Sequence, residues 1–447
     1  MDRLVRVGAL LAIWTYFILI QSDLLEFAGS RMGAHVRPVM VYAAICGLAV
    51  ATALAVVVRL GEQRIVNSTR GARIYLLSFY ALVCVIGFAY RGEGLGPEFG
   101  MPVLPPSAQP SAASYAVWPI LNLLMAASLF VLVRFLGVWR NILIAAFVVL
   151  CAQVATMAVD FVVPGTFGQL NGRPGGLSQN ANAAALACAM TSALLLPTFR
   201  ATPWPRAATI ALTMSVPAVL ASFSRGGIAA MLVVVLLAIW AQMAIGLPSP
   251  RRVAKVAAIA VIVLIPLGLA SPMVRAVSPT LWATAPAGRL GPQASMPAQD
   301  VKSAAQLQIE ERARNAFVLD DVSTRERRKA FSDYFQIALA HPFGIGTGYS
   351  NKFFIGPHNM LLKLWVDNGF VSVGLFLVML LSLAWTGLRK KSPMLLGVTA
   401  VAWAGSMLTH TALADPQLFV IATCALSAVL SATPLAAEST TSNVAHV

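Results

Sequence analysis

The sequence predicts an all-α polytopic membrane protein of about twelve transmembrane helices. Three observations carry this: 58% of the 447 residues are hydrophobic against 11% charged, mean hydropathy is +0.77, and the apolar runs are of transmembrane length without period-two alternation. A soluble domain cannot hide that much apolar surface, so lipid is the solvent for most of the chain. In lipid every backbone N–H and C=O must be satisfied within the chain, which leaves helices or a closed barrel. Runs of about 20 residues without alternation exclude the barrel.

Spans are expected near 5–21, 38–58, 74–90, 114–134, 141–162, 180–198, 207–222, 226–246, 253–270, 358–386, 394–411 and 416–432. The N-terminus looks like a signal peptide, but no small-residue cleavage site follows and further spans do, so it reads as the first helix. Arg59, Arg64, Arg70 and Arg73 fall in one connection, and Arg134 and Arg140 beside another. Arg200 and Arg206, then Arg251, Arg252 and Lys255, then Arg389, Lys390 and Lys391 fall in three more. With twelve spans all of these lie on one side, which the positive-inside rule makes cytoplasmic, together with both termini. The formal charge of +15 is thus topology rather than a nucleic-acid surface. Cys46, Cys84, Cys151, Cys188 and Cys424 all sit in apolar runs without a C-x-x-C pair, and read as small membrane-buried side chains.

The chain therefore divides into 1–270 (spans one to nine), a large periplasmic loop 271–357, 358–432 (spans ten to twelve) and a small polar tail, 433–447, expected to be disordered. Within the loop an amphipathic helix is expected over 324–340, with Ser323 and Glu326 as its capping box and Asp320 and Asp321 near its positive end. Phe331, Tyr334, Phe335 and Ala338 form its apolar stripe, to be laid on the membrane surface or on the bundle. Arg327 lies four residues before Phe331, either snorkelling to the interface or aimed into a polar cavity where it would pair with an anion.

Three further clusters fall on the same extracytoplasmic side. The first holds Arg173, Asn180 and Asn182. The second, Ser222-Phe223-Ser224-Arg225-Gly226-Gly227, is a tight turn before a helix start; it suits an anion, or is a charged turn at headgroup level. The third is Gly356-Pro357-His358-Asn359, where His358 is a general base or a cap. Lys363 and Asp367, four apart in the tenth span, either pair or line a cavity. Gly344-x-Gly346-x-Gly348 follows a helix and a proline rather than a strand, so it reads as a flexible turn and not a nucleotide loop. There is no H-E-x-x-H, no Walker motif and no acidic cluster suited to a divalent metal; Asp23 and Glu26 are weak candidates.

The run His341-Pro342-Phe343-Gly344-Ile345-Gly346-Thr347-Gly348, then His358-Asn359, then Leu361 to Gly369, resembles the "hPllGiGpg … HNxxL … G" signature of the O-antigen ligase and polymerase superfamily. Phe331 stands where that family often has Trp, and Arg327 falls on its arginine. Ser224-Arg225-Gly226 resembles its "SxSRG" turn, and Asn180-Ala181-Asn182 its "NPN" element with Ala for Pro. The resemblance covers roughly residues 165–385; the N-terminal third agrees only in topology. It implies glycosyl transfer from a lipid carrier, and the layout looks most like the lipopolysaccharide O-antigen ligases. These move a glycan from undecaprenyl diphosphate to a sugar of lipid A–core. On this resemblance His358 is the catalytic base, and Arg225, Arg327 and Arg173 bind the diphosphate. Arg289, Arg312, Asn180, Asn182 and Asn359 stand behind them. Neither metal nor cofactor is expected. The expected setting is a bacterial inner membrane, with a monomer whose site faces the periplasm. An O-antigen polymerase is the alternative within the superfamily. A lipid-linked glycan transporter is the rival of another class, and would place charges near mid-membrane on several helices.

Overall fold

A computed structural model describes residues 3–31, 38–88, 103–104, 112–162, 166–167, 174–196, 205–222, 224–244, 322–353, 356–408, 413 and 415–431. The expected ninth span, residues 271–321 of the long loop and the tail 433–447 lie outside them.

The regular structure of the described residues is helical, apart from one isolated antiparallel bridge between Val103 and Phe353, and turns join the helices. In chain order the helices are α1 (Arg3–Thr15, continued by a π turn, Tyr16–Gln21), α2 (Leu24–Arg31), α3 (Pro38–Leu60), α4 (Glu62–Ser68) and α5 (Arg73–Phe88). Then come α6 (Ala112–Leu136), α7 (Trp139–Val162), α8 (Ala181–Leu194), α9 (Pro205–Ala221) and α10 (Arg225–Ala244). The last five are α11 (Val322–Ala340), α12 (Met360–Asn368), α13 (Phe370–Arg389), α14 (Pro393–Leu408) and α15 (Pro416–Ser431).

Among the described residues six helices are long and apolar enough to cross a membrane: Arg3–Gln21, Pro38–Leu60, Arg70–Phe88, Ala116–Leu136, Trp139–Val162 and Phe370–Arg389. Five shorter apolar stretches, Ala181–Leu194 in α8, Thr209–Ala221 in α9, Arg225–Ala241 in α10, Pro393–Met407 in α14 and Gln417–Ser431 in α15, occupy expected spans without reaching that length. Burial sets two of the shorter helices apart. In α8 every residue from Ala184 to Leu194 is buried, and in α15 every residue from Gln417 to Leu430. Helices apolar on all sides can be buried on all sides, and these two form the centre of the bundle. The long spans keep an outward face for lipid: Met40, Leu54 and Val58 on α3, and Ile74, Leu77 and Tyr80 on α5.

Without a hydrophobic driving force between helices in lipid, close packing at small residues and polar ties must hold the bundle. Tyr42 donates to Asn122 Oδ1 (2.8 Å), and the Asn122 amide donates to the Leu413 carbonyl (2.9 Å), joining α3, α6 and the entry to α15. Ser427 donates to the Phe130 carbonyl at 2.8 Å.

The two ends of the bundle differ in charge. Gly71 lies against Leu430, and Arg134 donates to the Leu430 carbonyl, so the α4–α5 connection and the ends of α6 and α15 share one end. Gly387 faces Leu396, and Gly397 faces Ala193 and Leu196, which adds the end of α13, the start of α14 and the end of α8. This end carries Arg59, Arg70, Arg73, Arg134, Arg389, Lys390 and Lys391. At the opposite end Gly405, late in α14, meets Leu418 and Leu186, near the starts of α15 and α8.

Three expectations change. The tenth span is not one helix: it breaks at Gly369 into α12 and α13. α11 already includes Ser323, so Ser323 lies inside the helix rather than capping it. The apolar stripe of α11 also splits. Tyr334 and Ala338 are fully buried with Ala330 and Ile337, whereas Phe331 and Phe335 are exposed. The buried set packs on the 345–353 turn and on α12, the start of the expected tenth span, so this side lies on the bundle.

Candidate active site

The glycine-rich turn after α11 is a cap for α12. The last carbonyls of a helix have no partners within it. Here Ile345 N–H donates to the Val366 carbonyl (2.8 Å) and Gly346 N–H to the Asp367 carbonyl (2.9 Å), while Phe370 N–H donates back to Pro342 (3.0 Å). Gly344 and Gly369 face each other at this junction, at φ 81° and 82°. A Cβ on Gly344 would lie 2.5 Å from the Gly369 nitrogen, and one on Gly369 2.6 Å from the Phe343 carbonyl carbon. Both the dihedral and the space demand glycine. The flexible turn expected from the sequence is therefore a bonded one.

Inside it lies an ion pair. Lys363 Nζ donates to Asp367 Oδ2 (3.0 Å) and to Ser350 Oγ (2.9 Å); the two charged side chains are 10% and 2% exposed. Asp367 also accepts from Ser350 N–H (2.8 Å), Gly348 N–H (3.2 Å) and Ser350 Oγ (3.1 Å). A buried pair repays its desolvation only when the remaining lone pairs are also met, and here they are. The Tyr334 hydroxyl donates to the Ser350 carbonyl (3.0 Å). Burial pushes the Tyr334 hydroxyl well up, with Asp367, Tyr349 and Asp333 adding to it, so it stays a donor. Thr347 donates to the Ile86 carbonyl (2.6 Å) and accepts from Asn368 (2.6 Å), which ties the turn to the end of α5. Lys363 beside Ser350 could be mistaken for a base and its nucleophile. Ser350 has no exposed surface and the lysine is committed to Asp367 and Ser350, so neither serves a substrate.

His358 and Asn359 lead into α12. The Asn359 side chain accepts from Leu362 N–H (3.1 Å), an N-cap. Its amide meets the Met407 sulfur (3.8 Å) at the end of α14. His358 is half-buried and takes φ 48°, a left-handed conformation that costs a non-glycine residue roughly 1 kcal/mol or more.

Asn180 caps α8, accepting from Asn182 N–H (2.9 Å). Ser224 caps α10 through Gly227 N–H (3.2 Å), and Ser222 accepts from Ser224 N–H (3.2 Å). Both serines of the turn are thus buried structural groups, while Arg225, the first residue of α10, is exposed. A Cβ on Gly227 would sit 2.3 Å from that of Ala185, so α8 and α10 touch one turn below these caps. The start of α8 also adjoins the end of α14, where Asn359 meets Met407. His358, Asn359, Asn180, Asn182 and Arg225 consequently gather at the end of the bundle opposite the arginine-rich one. Arg327 belongs to α11, and its side chain is outside the described residues. Arg173, Arg289 and Arg312 also lie outside them.

Sequence reasoning missed Asp160, at the end of α7. It is 3% exposed and accepts from Phe167 N–H (2.6 Å), Gly176 N–H (2.8 Å) and Gly175 N–H (3.2 Å). Gln153, about two turns earlier, donates to Gly175 and Ser178 at 3.3 Å each. Together they hold the loop that delivers Asn180. Among the described residues no three His, Cys, Asp or Glu side chains gather as a metal site.

Residues 209–377, from α9 into α13, match the family model described as O-antigen ligase. No curated protein matches the chain.

Proposed function

We propose, for a multi-pass bacterial membrane protein that residues 209–377 place in the O-antigen ligase/polymerase superfamily, that it is an O-antigen ligase. It transfers a glycan from undecaprenyl diphosphate to a sugar hydroxyl of lipid A–core. The observation that carries the reading is the strained, half-buried His358 at the bundle end shared with Arg225. Strain kept at a residue able to titrate near neutrality supports a chemical role. The charge difference between the two ends supports a cytoplasmic basic end, with both termini, and a periplasmic site.

The lipid diphosphate is already a good leaving group, so the protein has to supply charge stabilisation and a base. His358 takes the proton from the acceptor hydroxyl as its oxygen attacks the anomeric carbon. The bond from that carbon to the diphosphate oxygen breaks, undecaprenyl diphosphate departs, and one displacement inverts the configuration. Arg225, Arg327 and Arg173 meet the charge growing on the diphosphate. Losing one such contact costs about 3 kcal/mol, roughly a hundredfold in rate.

The test is transfer in proteoliposomes with a lipid-diphosphate donor and lipid A–core, EDTA present, and His358→Ala alongside. Modified lipid A–core that persists in EDTA and disappears in the variant is the expected outcome. Donor chains that lengthen while lipid A–core stays unmodified identify a polymerase instead. Donor that crosses the bilayer without reacting identifies a transporter.

A further inference from the structure

α11 has three faces. One, Ala330, Tyr334, Ile337 and Ala338, is buried. A second, Arg328, Lys329, Ser332 and Gln336, is exposed and polar. The third is apolar yet exposed: Phe331 (47%), Phe335 (40%) and Leu339 (57%), on the i, i+4, i+8 ridge of the helix. The Phe331 and Phe335 rings are stacked at 6.2 Å with an interplanar angle of 7°. An aqueous loop gains nothing from such a ridge.

The ridge does not stop at the end of α11. Phe343, 78% exposed, lies 5.6 Å from the ring of Phe370, itself 49% exposed and the first residue of α13. From there Val371, Val378, Leu381, Trp385 and Leu388 continue outward along a membrane span. Apolar surface thus runs from the lipid-facing side of α13 onto α11. At its far end stand exposed Arg328 and Lys329. At its inner edge Phe335 meets Trp365 of α12 edge-on (5.9 Å), and the buried Trp365 indole N–H has no hydrogen-bond partner among the described residues. A buried donor left unmet asks for an acceptor that arrives with a ligand.

We propose that this ridge is the track for the donor lipid: the polyisoprenoid chain lies along Phe343, Leu339, Phe335 and Phe331, with its diphosphate at the basic end of α11 beside α12. The order of features matches the molecule, an anionic head on a long apolar chain. A narrow ridge about 12 Å long fits one chain rather than a slab of bilayer. The inference rests on the donor class proposed above.

The test places p-benzoylphenylalanine singly at Phe335, Leu339 and Gln336 of the full chain in lipid nanodiscs, with radiolabelled undecaprenyl diphosphate and light. Expected is saturable labelling at Phe335 and Leu339, displaced by unlabelled undecaprenyl diphosphate but not by excess phosphatidylglycerol, and none at Gln336. Crosslinking to phospholipid overturns the track in favour of a plain membrane contact. Crosslinking to residues 245–321 of the same chain overturns it in favour of an internal lid. A second measurement is kinetic: Phe331→Ser with Phe335→Ser should raise KM for the donor about tenfold with kcat kept. Photolabelling needs no turnover and is repeated in His358→Ala. Labelling without transfer in the unmodified protein would sink the ligase reading and keep the track; transfer without labelling would do the reverse.

Discussion

Between Gly344 and Gly369 the polar groups are buried and answered. Asp367 accepts from three residues, Lys363 donates twice, and the α12 carbonyls are met by backbone N–H groups of the turn. From Pro357 to Asn359, and at Asn182 and Arg225, the polar side chains keep access to the bundle end. The residues around Gly344 and those around His358 belong to one contiguous motif, yet they do different jobs. A saturated buried network can only hold; a strained, accessible side chain can react. On the proposed reading most of the motif is the mount, and His358 is what it mounts.

Substituting on each side of that divide should separate stability from activity. Asp367→Ala strands the Lys363 ammonium and two backbone N–H groups, at a cost of about 3–5 kcal/mol. Thermal unfolding of the detergent-solubilised protein should show a large fall in Tm or no folded protein at all. His358→Ala removes a left-handed, half-buried side chain and should leave Tm within a degree or two, a change of roughly 0.5 kcal/mol. It should nevertheless lower transfer at least a hundredfold, about the lower bound for a general base. An Asp367→Ala protein as stable as the parent would abolish the distinction.

Arg225 probes the accessible side with a smaller expected effect. Arg225→Lys keeps the charge but loses the planar fork that grips phosphate oxygens in pairs, and should cost about tenfold in transfer; Arg225→Ala should cost about a hundredfold. Both should unfold with the parent, because Ser224 rather than Arg225 caps α10. Equal activity in the parent and the alanine variant would remove Arg225 from the site.

The six long spans were legible in the sequence because hydropathy integrates over many residues, and the Lys363–Asp367 pair because its charges stand at i, i+4. The break at Gly369 was not, since apolar character continues across it and a glycine tolerated in a helix looks the same as one at φ 82°. Asp160 left no signal at all: it is a lone acid closing an apolar run, and its partners are backbone amides at 167, 175 and 176 that carry no residue type to recognise. Gln153 is hidden for the same reason. Asn180 and Asn359 were visible as polar residues in suggestive places, but a cap and a substrate ligand demand the same side chain there. What the sequence could not separate was a polar group that holds the chain from one that meets the substrate.

That ambiguity makes the two asparagines the finest test of the comparison. Each accepts a backbone N–H at the start of a helix, so each alanine substitution should cost about 1 kcal/mol of stability. If capping is their whole role, Asn180→Ala and Asn359→Ala, matched by unfolding midpoint, should lose transfer activity to the same modest degree. Asn359 differs in following His358 directly and in fixing the first turn of α12 against Met407. Losing its cap frees the backbone that holds His358 at positive φ. Transfer by Asn359→Ala is therefore expected to fall about tenfold below that of Asn180→Ala at equal stability, with KM for lipid A–core unchanged. Asn359→Asp, which still caps and carries a charge suited to a helix start, should restore most of the rate. Parallel losses in the two alanine variants would mean that the geometry at His358 is set by the Gly344–Gly369 junction alone.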